Sequence, residues 1–103
     1  MKVFNAKTYK VRKVVYYQDF VGRENEEFFE IGEVQANVQQ ASNELQITMY
    51  GDRVRNMLTM YSNENVETED IRIEIEGELY QIISKQKFDA FEPTHFIYEL
   101  ELI

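Results

Sequence analysis

Apolar and polar residues alternate with a period of two along much of this chain, most clearly over residues 71–87. Ile71, Ile73 and Ile75 are separated by Arg72, Glu74 and Glu76, the pattern of a strand with one dry face and one wet face. Glu76-Gly77 follows as a turn, because glycine accepts the positive φ that a tight hairpin needs. Residues 79–83 then run back as the partner strand. Residues 95–103 alternate just as cleanly, with Phe96, Tyr98, Leu100 and Leu102 on one face and Glu99 and Glu101 on the other.

The remaining segments are read by the same rule. Residues 9–17 are rich in β-branched and aromatic side chains and predict a first strand near a sheet edge. Tyr9, Val11, Val15 and Tyr17 share one face, with Lys13 the exception. Residues 19–30 carry Gly22, Asn25 and the acids Glu24, Glu26, Glu27 and Glu30, which predicts a solvated loop. Phe20, Phe28 and Phe29 within it either cover the domain's own core or meet a partner. Residues 31–40 predict a second strand, Val34, Ala36 and Val38 inward, Glu33, Gln35, Asn37 and Gln39 outward. That outward row is plain surface or a face against another subunit, since uncharged amides lose less on desolvation than carboxylates.

Residues 41–51 leave two readings open. Ser42 caps a short helix carrying Ala41, Leu45 and Met49 on one side, or the segment is a long, partly ordered connection, which Ile47-Thr48 favours. A third strand is read in residues 52–62, centred on 57–61, and the acidic run through Asp70 is loop. Residues 88–94 form a connection closed by Pro93. About six short antiparallel strands with long loops predict an all-β single domain, a small barrel or sandwich spanning residues 1–103.

Charge changes the picture in one respect. Residues 1–18 hold five basic residues and no acid (+5), whereas the rest holds six basic residues against nineteen acids (−13), for a net charge of −8. This is ordinary surface bias, or a basic edge on an acidic body suited to head-to-tail contact between copies. An acidic body argues against binding duplex DNA through a basic stripe. The absence of cysteine excludes disulfides and thiolate metal sites. No apolar run is long enough for a transmembrane span or a secretory signal, so a chain without membrane contact is expected, cytoplasmic or part of a particle built in the cytoplasm.

Candidate chemistry is sparse. His95 is the single imidazole, beside Pro93 at a strand start, and Ser42, Ser62 and Ser84 lack a glycine-rich elbow. Glu74, Glu76 and Glu78 read as the wet face of a hairpin rather than a glycosidase pair. Residues 64–70 hold oxygen ligands without the spacing of a calcium loop. Four glycines form no phosphate cradle. No catalytic residue, metal ligand or cofactor is assigned, and no enzymatic activity is expected.

Four stretches, in order, resemble the phage head–tail joining family, the small head-closure or head–tail adaptor proteins of tailed bacteriophages. They are Gly32-Glu33-Val34-Gln35-Ala36-Asn37-Val38; Tyr50-Gly51-Asp52-Arg53-Val54 with the strand Met57-Leu58-Thr59-Met60-Tyr61; the hairpin Ile75-Glu76-Gly77-Glu78-Leu79-Tyr80-Gln81-Ile82-Ile83; and Phe96-Ile97-Tyr98-Glu99-Leu100-Glu101-Leu102. The chain departs from the family pattern at Glu69-Asp70, where a glycine often precedes the hairpin. The resemblance implies a small β-barrel assembling into a homo-oligomeric ring in the neck of the virion, built in the bacterial host's cytoplasm and encoded by a phage or prophage. Such a ring closes the DNA-filled head under the portal and adaptor, offers the tail a docking surface, and lets DNA pass without sequence-specific binding.

By the same resemblance, a channel or gating loop comprises Ser42, Asn43, Glu44, Leu45, Gln46, Ile47, Thr48, Met49, Tyr50, Gly51, Asp52 and Arg53. Phe20, Arg23, Phe28 and Phe29 form a partner-contact loop. Two alternatives stay open: a tail-side completion protein of similar fold, and a non-virion acidic binding module or DNA-mimic inhibitor.

Overall fold

The computed structural model describes residues 3–41 and 43–103. Among them six strands, β1 (Lys7–Gln18), β2 (Glu24–Gln40), β3 (Met57–Ser62), β4 (Ile71–Ile75), β5 (Glu78–Phe88) and β6 (His95–Leu102), close into a barrel. The order around it is β1-β2-β3-β6-β5-β4, with every neighbouring pair antiparallel. A short helix, α1 (Glu44–Tyr50), and a 3-10 helix (Gly51–Asn56) connect β2 to β3.

Alternation in the sequence becomes the inside and outside of this barrel. Ile71, Ile73 and Ile75 are buried, as are Phe96, Tyr98 and Leu100 from β6 and Val34 and Ala36 from β2. With Val11, Met60 and Val66 they form one core, against which Tyr9, Val38, Leu58, Tyr80 and Ile82 pack from its margins. Closure leaves the barrel itself without an open edge. β1 is accordingly not the edge strand its lysines predicted: over residues 10–13 it pairs with β2 on one side and β4 on the other.

The two-residue turn between β4 and β5 has φ of 51° at Glu76 and 81° at Gly77. Two successive left-handed residues match the twist of the flanking strands, so the hairpin is as read from the sequence, except that β5 continues to Phe88. Asp70 takes φ 57° just before β4, filling the position where a glycine was missing. Aspartate tolerates this region better than most residues, and the Asp70 carbonyl accepts a 2.7 Å hydrogen bond from the Val14 N–H.

Two readings are corrected. Residues 24–30 are strand rather than loop: β2 begins at Glu24 and pairs with β1 from Gln18↔Glu24 onward. Only residues 19–23 form the turn. The shared face assigned to Tyr9, Val11, Val15 and Tyr17 also fails. Val11 is buried, but Val14 takes the next buried position while Val15 and Tyr17 are exposed. Beyond Lys13 β1 has lost β4 as a neighbour, so the barrel interior no longer fixes its face; the bulge in this pairing, with Ile31 extra opposite the Val11–Arg12 step, lies on β2. The third strand starts later than its outer bound, at Met57, because residues 51–56 form the 3-10 helix.

Candidate functional site

Three features stand out on the barrel: a helical layer on its wall, a plug in one end, and a ribbon projecting from that end. The helical layer contains the proposed channel segment. Asn43 caps α1, its side-chain oxygen accepting from the Gln46 N–H at 2.8 Å, while Gln46 Oε1 accepts from the Asn43 N–H at 3.2 Å. This reciprocal box explains why a helix forms over Ile47-Thr48, whose local preference is weak. Ser42, the expected cap, lies outside the described residues.

Polarity in α1 is inverted relative to an ordinary surface helix. Gln46 is buried and its Nε2 donates a 2.7 Å hydrogen bond to Thr59 Oγ1 on the outer face of β3. Leu45, Ile47 and Met49 instead face solvent. Farther along, the Arg53 guanidinium makes a two-pronged pair with Glu101 of β6, both contacts 2.8 Å, and lies 5.5 Å from the Tyr50 ring centre. Hydrogen bonding to Arg53 lowers the Glu101 pKa, and hydrogen bonding to Glu99 raises that of Tyr50. Residues 43–53 are therefore clamped to the outer wall over β3 and β6.

The plug is the connection between β3 and β4. Val66 is buried against the core, and the Tyr98 hydroxyl both accepts from the Val66 N–H and donates to the Glu64 carbonyl, each at 2.8 Å. Burial raises the Tyr98 pKa. Lys85 Nζ donates to the Val66 carbonyl at 2.9 Å and to Asn65 Oδ1, and sits over the Phe96 and Tyr98 rings. Ser62 Oγ donates to the Gln35 carbonyl and accepts from the Glu64 N–H. These polar groups hold the acidic connection in place.

The ribbon is the outer half of the β1–β2 hairpin. Past Lys13 the two strands pair only with each other, and the molecule's long axis reaches 52 Å against 30 and 24 Å across. Its turn is built on Asp19, whose carboxylate accepts from the N–H groups of Val21 and Arg23 and from Asn25 Nδ2. The Arg23 N–H contributes most to holding the Asp19 carboxyl below its ordinary pKa. Phe20 and Val21 stand exposed at this tip, and Tyr16, Tyr17 and Phe29 are exposed along the ribbon. Phe28 differs: opposite the buried Val14, it is half-buried and lines a depression with Leu79, Leu102 and Ile103. Arg23 is largely exposed at 3.9 Å from Asp19.

The proposed channel segment and contact residues are thus not brought together. They occupy different faces, the first on the wall and the second on the ribbon. Of the basic stretch of β1, Lys10 pairs with Glu30 at 3.8 Å and Arg12 with Glu74 at 3.1 Å, while Lys7 and Lys13 are exposed. Part of the amide row on β2 is engaged too, Asn37 Nδ2 donating to the Phe4 carbonyl. His95 stacks on Phe88 with ring centres 4.8 Å apart. No group of three or more His, Asp or Glu residues is placed to hold a metal ion among the described residues. The expected grouping of Ala41, Leu45 and Met49 on one helix side fails, since Ala41 precedes α1 and is buried while Leu45 and Met49 face solvent. The Asn43–Gln46 box marks the helix start, and the bond to Thr59 turns Gln46 inward.

No family model matches the sequence, and no curated protein matches it. Solved structures do share the fold. Protein SF1141 from Shigella flexneri 2a, known from its solution structure, superposes with a TM-score of 0.68 at 14% identity, covering 99% of this chain and 96% of that one. A chain of the virion of a native gene transfer agent particle superposes with a TM-score of 0.60 at 13% identity, covering 94% of each chain. The overall fold is therefore one that a chain of a virion particle shares.

Proposed function

We propose that this protein is a structural component of a tailed-phage virion, forming a ring at the head–tail junction that closes the filled head and receives the tail. The supporting observation is the end-to-end likeness of fold to a chain of the gene transfer agent virion. The sequence resemblance to head–tail joining proteins points to the same place by a separate route. In this reading the protein catalyses nothing. It works through surfaces, and two are available: the exposed Leu45, Ile47 and Met49 on α1, and the apolar ribbon. Large side chains left in water by a small domain are material for contacts between copies and with neighbouring rings.

The channel role of residues 43–53 takes a specific physical form. Reaching into a conduit requires releasing the Gln46–Thr59 bond and the Arg53–Glu101 pair. Without that release the segment acts as a docking face. Light scattering coupled to size exclusion tests the reading directly, with the chain alone and mixed with a purified portal–adaptor complex from the parent phage. Co-migration with the complex in ring stoichiometry is expected. A 12.3 kDa monomer that never joins the complex contradicts the proposal.

A further inference from the structure

At the end of the barrel opposite the ribbon, a cleft of about 490 Å³ opens between the end of β2, the 3-10 helix and the starts of β3 and β5. Val54, Met57, Leu58, Tyr80 and Leu102 supply its apolar lining, and Arg55 and Glu78 add one charge of each sign. Arg55 is exposed, with no ion-pair partner among the described residues. At the far end of β2, Phe20 stands at the ribbon tip with 103% of its reference surface exposed. The Asp19 hydrogen bonds fix that turn before any partner arrives. Beside Phe20 the tip carries Glu24 and the largely exposed Arg23, which stands 3.9 Å from the Asp19 carboxylate of the same turn.

We propose that the ribbon tip of one copy seats Phe20 in the cleft of the next, with Glu24 meeting Arg55 and Arg23 meeting Glu78. That the occupant is a second copy rests on the ring assembly proposed above. The fit itself rests on the complementary charges and on an aromatic knob held in a fixed turn. Burying a phenylalanine beside a guanidinium gains from desolvation and from the ring's negative face. Fixing the turn in advance lowers the ordering cost of binding. Because the tip and the cleft are different patches at opposite ends, the contact is heterologous and propagates from copy to copy, closing if the rotation between copies allows.

Sedimentation velocity of the full chain across a concentration series tests this, with circular dichroism melts to verify folding. The wild-type chain self-associates. Phe20→Ser and Arg55→Glu each weaken association by about tenfold or more. Adding Glu24→Arg to Arg55→Glu restores association, and all variants melt like the wild type because these side chains are exposed. Wild-type association by Phe20→Ser overturns the contact, as does a wild-type chain that stays monomeric throughout. If Phe20→Ser and the wild type join the portal–adaptor complex equally, this contact is wrong while the neck assignment stands. If self-association depends on Phe20 but the complex is never joined, the contact is right and the neck assignment fails.

Discussion

Tyr98 does more than fill the core. Its ring is buried, and its hydroxyl satisfies one donor and one acceptor of the plug, the Val66 N–H and the Glu64 carbonyl. Tyr98→Phe keeps the volume but leaves both backbone groups without that partner, which costs about 1–3 kcal/mol. Urea unfolding should show that loss, and amide exchange at Val66 should quicken more than at Ile73. Equal protection at Val66 would show that the plug is held by Lys85 and Ser62 instead. Glu101 governs a second local effect. Its pKa is lowered in the folded protein by Arg53, so its contribution is present above the unfolded value and lost as pH falls through the folded value. Acid titration below the ordinary 4.5 of a glutamate should therefore loosen the helical layer. Glu101→Gln should flatten that part of the stability profile, measured by urea midpoints between neutral and acidic pH.

Among the elements, the ribbon is separable from the barrel. Beyond Lys13 its strands pair only with each other. Replacing residues 16–26 with Asn-Gly joins the paired positions Val15 and Glu27 through a turn of the type hairpins favour, and keeps Val14 and Phe28. The shortened chain should fold cooperatively, its circular dichroism keeping the strand signal of the barrel less the six strand residues removed; an unfolded product would show that the ribbon supports the core. The same separation explains where the sequence was readable. β4, β5 and β6 lie in the barrel with one face dry, so their alternation is a physical record of inside and outside. In the ribbon no core selects a face, and Glu24, Glu26, Glu27 and Glu30 look like loop although each is paired across to β1. Residues 44–50 were ambiguous for another reason: the helix is fixed by a cap and by a tertiary hydrogen bond to Thr59, and the second of these has no local signature. The interaction surfaces were only half legible, the exposed aromatics being visible as residues but not as a single projecting ribbon.

At the scale of the whole molecule, a closed barrel carries an ordered ribbon at one end and a cleft at the other, with an outward-facing apolar helix on its wall. A closed sheet gives a small chain a rigid body whose open strand edges are confined to the ribbon. Specific contact then passes to the few features that break its outline. We propose this body for the joint between a phage head and its tail. Electron microscopy of particles made by the parent phage after deletion of the gene for this chain tests that assignment most directly. The account predicts separate heads and tails, restored to joined particles when the chain is supplied in trans. Complete tailed particles formed without the chain would contradict it.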